Sequence, residues 1–405
     1  MSPAPPTPRL RLHVVAAAAA ELRAGHPWLF NEKIRSQNRP GKTGELAAVF
    51  DPKDRFVGVG LFDPDSPIRA RMLIAGRQEQ IDSPWWRNRL EQALRRRDGM
   101  FDENTTGFRW IYGESDGWPG LVLDKYDRTL VLKIYSGIWL PRLSEIVVLI
   151  NDRLPNDRIV LRLSRNIQPG ARKSFQLDDG QVLSGSPVLG PVVFLESGLR
   201  FEADVLRGQK TGFFLDQREN RRHVESFSKG KRVLNAFSYS GGFAVYAARG
   251  GARSVTEIDI SEHALRAAER NFTLNASVPA IARCRRTPIQ ADVFDWLSEN
   301  SKPEFDLIVL DPPALAKKKT ERPGALQSYR SLATHALRCL RRGGMLVAAS
   351  CSAHVTAAEF FEAILDAAGR SGRAFEQIQT TGQPPDHAAT FPEAAYLKCI
   401  YLRER

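Results

Sequence analysis

Two short stretches hold most of the reactive chemistry. "LDPPAL" (310–315) places Asp311 ahead of two prolines, and "AASCSAH" (348–354) places Cys351 between two serines. Pro312 and Pro313 cannot extend a strand ladder, so the turn they impose holds the Asp311 carboxylate in place. Cys351 follows the apolar run "MLVAAS", which reads as a buried strand arriving at an exposed end. Of the four cysteines, Cys339 and Cys399 fall inside periodic apolar segments and read as core thiols. Cys284, among arginines in "ARCRR", has no evident place. No C-x-x-C pair or nearby histidine offers a zinc site, so no metal is expected. Four scattered thiols fit a reducing cytoplasm better than a disulfide framework.

One base methylation needs a thiolate. Carbon 5 of cytosine is a poor nucleophile. Thiolate addition at carbon 6, with nitrogen 3 held by an acid, makes carbon 5 enamine-like, whereas an exocyclic nitrogen needs no such help. A free thiol titrates near about 8.5, and a helix opening around 355–356 together with nearby lysines would favour its ionised form. Cys351 is therefore a candidate nucleophile, against the alternative of a filler thiol. In enzymes acting on nucleic acids, Asp-Pro-Pro at a strand end orients a base taken out of its stack. Lys317, Lys318 and Lys319 beside it can take phosphates, or form a solvated charge run.

A second group of residues suits a cofactor. "NAFSYSGGF" (235–243) is a turn between a strand and a helix, and Gly241 and Gly242 let backbone approach a ligand closely. The G-x-G-x-x-G dinucleotide pattern is absent. Asp259 ends the next strand and can accept both hydroxyls of a ribose; its alternative role as a helix cap could be filled by Ser261. Asp292, in "ADVFDWL", comes where a third strand should end, and either meets an adenine amine or caps its own helix. A glycine-rich first turn with acids after the second and third strands points to a nucleoside cofactor, and S-adenosylmethionine (SAM) fits better than NAD.

These residues need a sheet to hold them. From residue 200 the rhythm is strand, loop, helix, repeated: "RVLNAF", "SVTEIDI", "FDLIVL" and "MLVAAS" are each followed by a helical segment. Alternating βα units predict an α/β fold with a parallel sheet covered on both faces, ligands lying at the strands' carboxyl ends. Thr356 and Glu359 have the spacing of a capping box. Earlier, residues 10–77 show short alternating strands such as "RFVGVGLF" and "IRARMLI", half-exposed in a small barrel or sandwich. Ser83 and Pro84 start a helix with Trp86, Leu90 and Leu94 on one face. An α+β pattern follows over 108–195. The predicted domains are 1–78, 79–198 and 199–405, with residues 1–8, "MSPAPPTP", disordered. No apolar run approaches the roughly 18 residues of a membrane span. The net charge of +12, from 58 basic and 46 acidic side chains, suits a polyanionic partner or simple solubility.

"GQKTGFFLDQRENRR" (208–222), "VLNAFSYSGGFAV", "FDLIVLDPPALAKKK", "AASCSAHV" and "DHAATFPEAAYLKC" (386–399) together resemble the ribosomal large-subunit methyltransferase I family. The likeness extends through "GHPWLF" (25–30) and "GESDGWPGLVLDKY" (113–126) to nearly the whole chain. It implies a SAM-dependent enzyme that methylates cytosine carbon 5 in large-subunit rRNA. It also implies an N-terminal PUA RNA-binding β-barrel, a small central α+β domain and a C-terminal Rossmann-like methyltransferase domain. By that likeness Phe214, Asp216, Gln217 and Arg218 would close over SAM. Asn235, Phe237, Ser238, Tyr239, Gly241 and Gly242 would line its methionine side, Asp259 the ribose and Asp292 the adenine edge. Asp311 would stand near the methyl group, and Cys351 would be the nucleophile. Ala314 and Leu315 depart from the family pattern, which carries an aromatic there. Base-nitrogen methylation with Cys351 structural, and a non-catalytic RNA-binding assembly factor, are the competing readings. The oligomeric state is open between a monomer and a homodimer.

Overall fold

The computed structural model describes residues 9–405; the stretch 1–8, expected to lack order, lies outside them. The chain divides into two compact units. The first runs to Phe194 and includes Ala203–Phe213; the second comprises Leu195–Glu202 and Phe214–Arg405.

The first unit holds two sheets. Strands β1 (Leu10–Val14), β2 (Trp28–Phe30), β3 (Ile34–Gln37), β4 (Leu46–Phe50), β5 (Phe56–Phe62) and β6 (Ile68–Ala75) form one, in the order β2-β6-β5-β4-β1-β3. β1 and β4 alternate buried and half-buried residues, as a strand with one face on a core must. Half-exposed strands are expected for β5 and β6, yet most of their residues are buried. The reason is that they serve two cores. Val57, Phe62, Ala70 and Met72 pack within their own sheet's core, whereas Leu61, Leu73 and Ile74 join a second cluster with Trp86, Trp118 and Trp139.

That second cluster belongs to a sheet of β7 (Gly107–Tyr112), β8 (Leu121–Tyr126), β9 (Thr129–Ile134), β10 (Arg158–Leu163) and β11 (Val182–Gly185), in the order β11-β10-β9-β8-β7. The helix Ser83–Arg95 is capped by Asp82, whose side chain accepts from the Trp85 amide, and it buries Trp86 and Leu90 as its spacing predicts. A two-stranded hairpin, β12 (Val192–Glu196) and β13 (Leu199–Ala203), follows.

The second unit is built on seven strands: β14 (Arg232–Ala236), β15 (Ser254–Asp259), β16 (Arg285–Gln290), β17 (Phe305–Leu310), β18 (Leu340–Ser350), β19 (Phe375–Thr381) and β20 (Lys398–Glu404). Their order is β16-β15-β14-β17-β18-β20-β19. The first five run parallel, as the βα rhythm predicts. The expected all-parallel sheet is corrected at its far edge, where β20 is antiparallel to both β18 and β19. Parallel neighbours need a crossover, usually helical, and residues 382–397 hold only two 3-10 turns, so the chain returns beside β19 in the opposite sense. The strand order reverses between β14 and β17, which puts the crevice for a ligand at their carboxyl ends. Among the described residues, no helix is long and apolar enough to cross a membrane.

Candidate active site

Cys351 stands at the carboxyl end of β18 and Asp311 at that of β17; these strands are paired, with Leu310 opposite Ala348. A knot of hydroxyls ties the two loops. The fully buried Ser352 Oγ accepts from the backbone N–H of Leu315 at 3.0 Å and of Ala316 at 3.3 Å. Tyr329, from the helix Arg322–Cys339, places its hydroxyl 2.8 Å from Ser352 Oγ and accepts from Ser350 Oγ at 2.8 Å. The two serines therefore point inward and the cysteine between them outward, the alternation an extended chain produces. Cys351 alone of the four free thiols is partly exposed. Burial pushes Cys284 and Cys339 up to about 11 and Cys399 up to about 12.

The Asp311 carboxylate is oriented by a chain of amides. Gln217 Nε2 donates to Asp311 Oδ1 at 2.9 Å, and Asn220 Nδ2 donates to Gln217 Oε1 at 2.6 Å. Asn220 Oδ1 in turn accepts from Thr381 Oγ1 at 2.5 Å and from Tyr401 OH at 3.1 Å. Every donor in this series faces the carboxylate, which fixes both amide orientations.

The loop after β14 is strained. Phe237, Tyr239 and Gly241 have φ of 59°, 46° and 76°. Left-handed backbone at a non-glycine residue costs about 1–3 kcal/mol and persists where the surroundings impose it, most often at functional sites. The N–H groups of this loop are spent on holding it: Ser238 donates to the Ile258 carbonyl and Gly241 to the Ser238 carbonyl, each at 2.9 Å. Gly241 cannot be replaced there. A Cβ would lie 2.7 Å from Glu257 Oε1 and 2.8 Å from Ala268 Cβ, besides the positive φ. Asp259 holds the turn: its Oδ2 accepts from the Tyr239 N–H at 2.8 Å and its Oδ1 from the Ser261 N–H at 2.9 Å. Ser261 caps the next helix. Asp292 caps its own helix, accepting from the Phe294 N–H at 2.8 Å, and the Phe294 ring is 5.9 Å from that of Phe237.

The segment 214–218 is anchored from two sides. Asp216 Oδ2 accepts from Tyr396 OH at 2.5 Å. Arg218 makes a buried ion pair with Asp386, its Nη2 2.7 Å from Oδ1. Burial works against ionising Asp386, but His387 and Arg218 hold its carboxyl well below the usual carboxylate range. The Phe214 ring meets that of Tyr239 edge-on at 5.0 Å. Lys317, Lys318 and Lys319 are exposed, and the Lys317 N–H donates to Glu321 at 2.7 Å.

The structure adds residues that sequence reasoning passed over: Tyr329, Asn220 and above all Lys398. Lys398 is 4% exposed, and its ammonium donates to the carbonyls of Ser352 (2.5 Å), Val355 (2.6 Å) and Tyr396 (3.1 Å). A lone lysine inside the apolar strand "LKCIYL" was the available signal. The expected helix end is otherwise engaged. That helix begins at Ala357, and Glu359 already places its carboxylate there, accepting from the Thr356 N–H at 3.0 Å and pairing with Arg322.

A doubly wound sheet with a strained glycine loop and a ring of acids at its carboxyl edge has the build of a methyltransferase. The S-adenosylmethionine-dependent methyltransferase family profile matches residues 172–403, and a PUA-like domain profile matches residues 12–74. A ribosomal RNA large subunit methyltransferase from Deinococcus radiodurans is 52% identical, the match covering 99% of each chain. A ribosomal RNA large subunit methyltransferase I from Pseudoalteromonas translucida is 34% identical over 97% of this chain and 98% of its own. The fold is also that of a solved Streptococcus mutans protein described as a SAM-dependent methyltransferase, at a TM-score of 0.81 and 21% identity, covering 97% of this chain and 99% of that one. The chain is thus a SAM-dependent methyltransferase with an N-terminal PUA-like domain. It belongs to the ribosomal RNA large subunit methyltransferase family.

The residues present fit SAM. Asn235 at the end of β14 is 1% exposed, and neither polar atom of its amide has a protein partner; the same holds for Ser238 Oγ. Buried polar groups left so cost about 1–3 kcal/mol each, a cost that a polar ligand beside the β14 loop would relieve.

Proposed function

We propose that this methyltransferase forms 5-methylcytosine in large-subunit rRNA through a transient bond between Cys351 and the target base. The carrying observation is the placement of one partly exposed thiol between two buried serines that are hydrogen-bonded, directly and through Tyr329, to the Asp311 loop.

SAM, when bound, supplies an electrophilic methyl group. Asn235 and Ser238, whose side-chain polar atoms are unpartnered, are assigned with the Phe237–Gly241 turn to its methionine end, Asp259 to the ribose and Asp292 to the adenine side. Asp311, oriented by Gln217, is assigned to hold the flipped pyrimidine at its nitrogen-3 side. Cys351 Sγ then bonds to carbon 6, and the displaced π pair makes carbon 5 the electron-rich position. After methylation, transfer of the carbon-5 proton to solvent water returns its electron pair to the ring and expels the thiolate. Residues 1–78 and the Lys317–Lys319 run are assigned to RNA docking.

Nucleoside mass spectrometry of large-subunit rRNA, from cells with and without this protein, tests the reading. It expects one 5-methylcytosine to be lost with the gene product, and Cys351→Ala to retain SAM binding while losing transfer. A base-nitrogen methyl mark, or a fully active Cys351→Ala, would replace it with the nitrogen-methylation reading. Absence of any transfer to deproteinised rRNA or assembly intermediates would favour an assembly factor.

A further inference from the structure

A buried ammonium with all three protons taken by backbone carbonyls is an unusual object. Burying a lysine is costly unless the charge does something there. Lys398 sits on β20 directly opposite Ser350 of β18, so its side chain leaves the sheet on that serine's face and runs past the strand end to the turn that follows Cys351. Two of its three acceptors, Ser352 O and Val355 O, belong to the turn that follows Cys351. The ammonium thus has a fixed position at the turn that follows Cys351, close enough for the two charges to be coupled, with its three protons directed to carbonyls.

We propose that Lys398 is a positioning residue for Cys351: it pins the turn 352–355 and supplies the fixed positive charge that holds the thiol as thiolate. This inference rests on the nucleophile assigned above. The charge is present under working conditions. Burial lowers the lysine and the Cys351 charge offsets part of that, which together bring it to about 8, so the ammonium form prevails at neutral pH. Tyr329 is also coupled to this thiol, and burial pushes its hydroxyl up, so it stays neutral over the same range; Asp311, at the end of the paired strand β17, is the carboxylate whose charge the lysine must outweigh. With the neighbouring helix end occupied by Glu359, Lys398 is the cation that the β20 return brings to this site.

The test is the pH dependence of iodoacetamide alkylation at Cys351, read by peptide mass spectrometry on the full-length protein without RNA. The other three thiols are buried and serve as internal controls. In the wild type, Cys351 should titrate below the free-cysteine value of about 8.5, because an adjacent cation stabilises thiolate. Lys398→Met should raise that midpoint by about one unit, giving about tenfold slower alkylation at pH 7 with SAM affinity unchanged; Lys398→Arg should recover part of the shift. A wild-type midpoint at or above the free value overturns the proposal even if Lys398→Met fails to fold. So does a folded Lys398→Met with an unmoved midpoint. Because the readout involves no methyl transfer, a low midpoint alongside a nitrogen-methylated product would sink the cytosine reading and leave the lysine's role intact. An unshifted thiol in an enzyme that makes 5-methylcytosine would do the reverse.

Discussion

Gln217 Nε2 donates to Asp311 Oδ1 at 2.9 Å, joining the helix-entry segment at 214–218 to the loop after β17. Asn220 holds the other end of the glutamine amide, so the carboxylate is aimed by residues that need not touch substrate. Gln217→Leu removes a hydrogen bond to a charged group, worth about 1.5–3 kcal/mol. The expected result is a kcat/KM lower by about 10- to 100-fold in a radiolabelled methyl-transfer assay, with the folded state retained.

Ser352→Ala should act differently. It strands the amides of Leu315 and Ala316 and one side of the Tyr329 hydroxyl, so stability should fall by about 1–3 kcal/mol in urea titrations. Tyr329→Phe leaves both amides satisfied and should cost less. Equal losses in the two variants would mean that the hydroxyl knot is not what joins these loops.

Asp386→Ala removes the buried carboxylate that faces the Arg218 guanidinium and leaves the more exposed Glu219, 3.2 Å from its Nε; breaking a buried pair typically costs about 3–5 kcal/mol. The pH dependence has a definite sign. The folded-state pKa of Asp386 lies below its unfolded value of about 3.9, so its contribution is fully present above that value and is lost as pH falls toward the folded one. The gap between wild type and Asp386→Ala in urea midpoint should therefore be widest near neutrality and shrink below about pH 4.

RNA affinity should fall steeply with salt if phosphate contacts dominate docking. Each single-strand phosphate contact contributes a slope of about 0.7 in log K against log salt. Replacing Lys317, Lys318 and Lys319 together by Ala should flatten the slope by about two, with SAM affinity unchanged. An unaltered slope would return the three lysines to an ordinary solvated surface.

Much of the second unit was legible from local rules. Glycine and proline punctuation marked the loops, apolar runs marked β14, β15, β17 and β18, and Asp259, Asp311 and Cys351 could be placed at strand ends by counting. The capping box at Thr356 formed as read. Less legible was anything set by a second core. β5 and β6 looked half-exposed because alternation describes one buried face, and the side chains covering the other face come from helix Ser83–Arg95 and the tryptophan cluster.

Residue order was enough to specify the run of elements and which side chains stand at each strand end, because those depend on neighbours close along the chain. The partners of those side chains came from folding alone. The antiparallel return of β20 sets Lys398 against Ser350, and the packing of helix Arg322–Cys339 delivers Tyr329 between two serines. Strand register and helix packing join segments far apart in the chain through contacts that leave no periodic trace in either segment, so a lysine in an apolar strand looked like an irregularity until its carbonyl cage was seen.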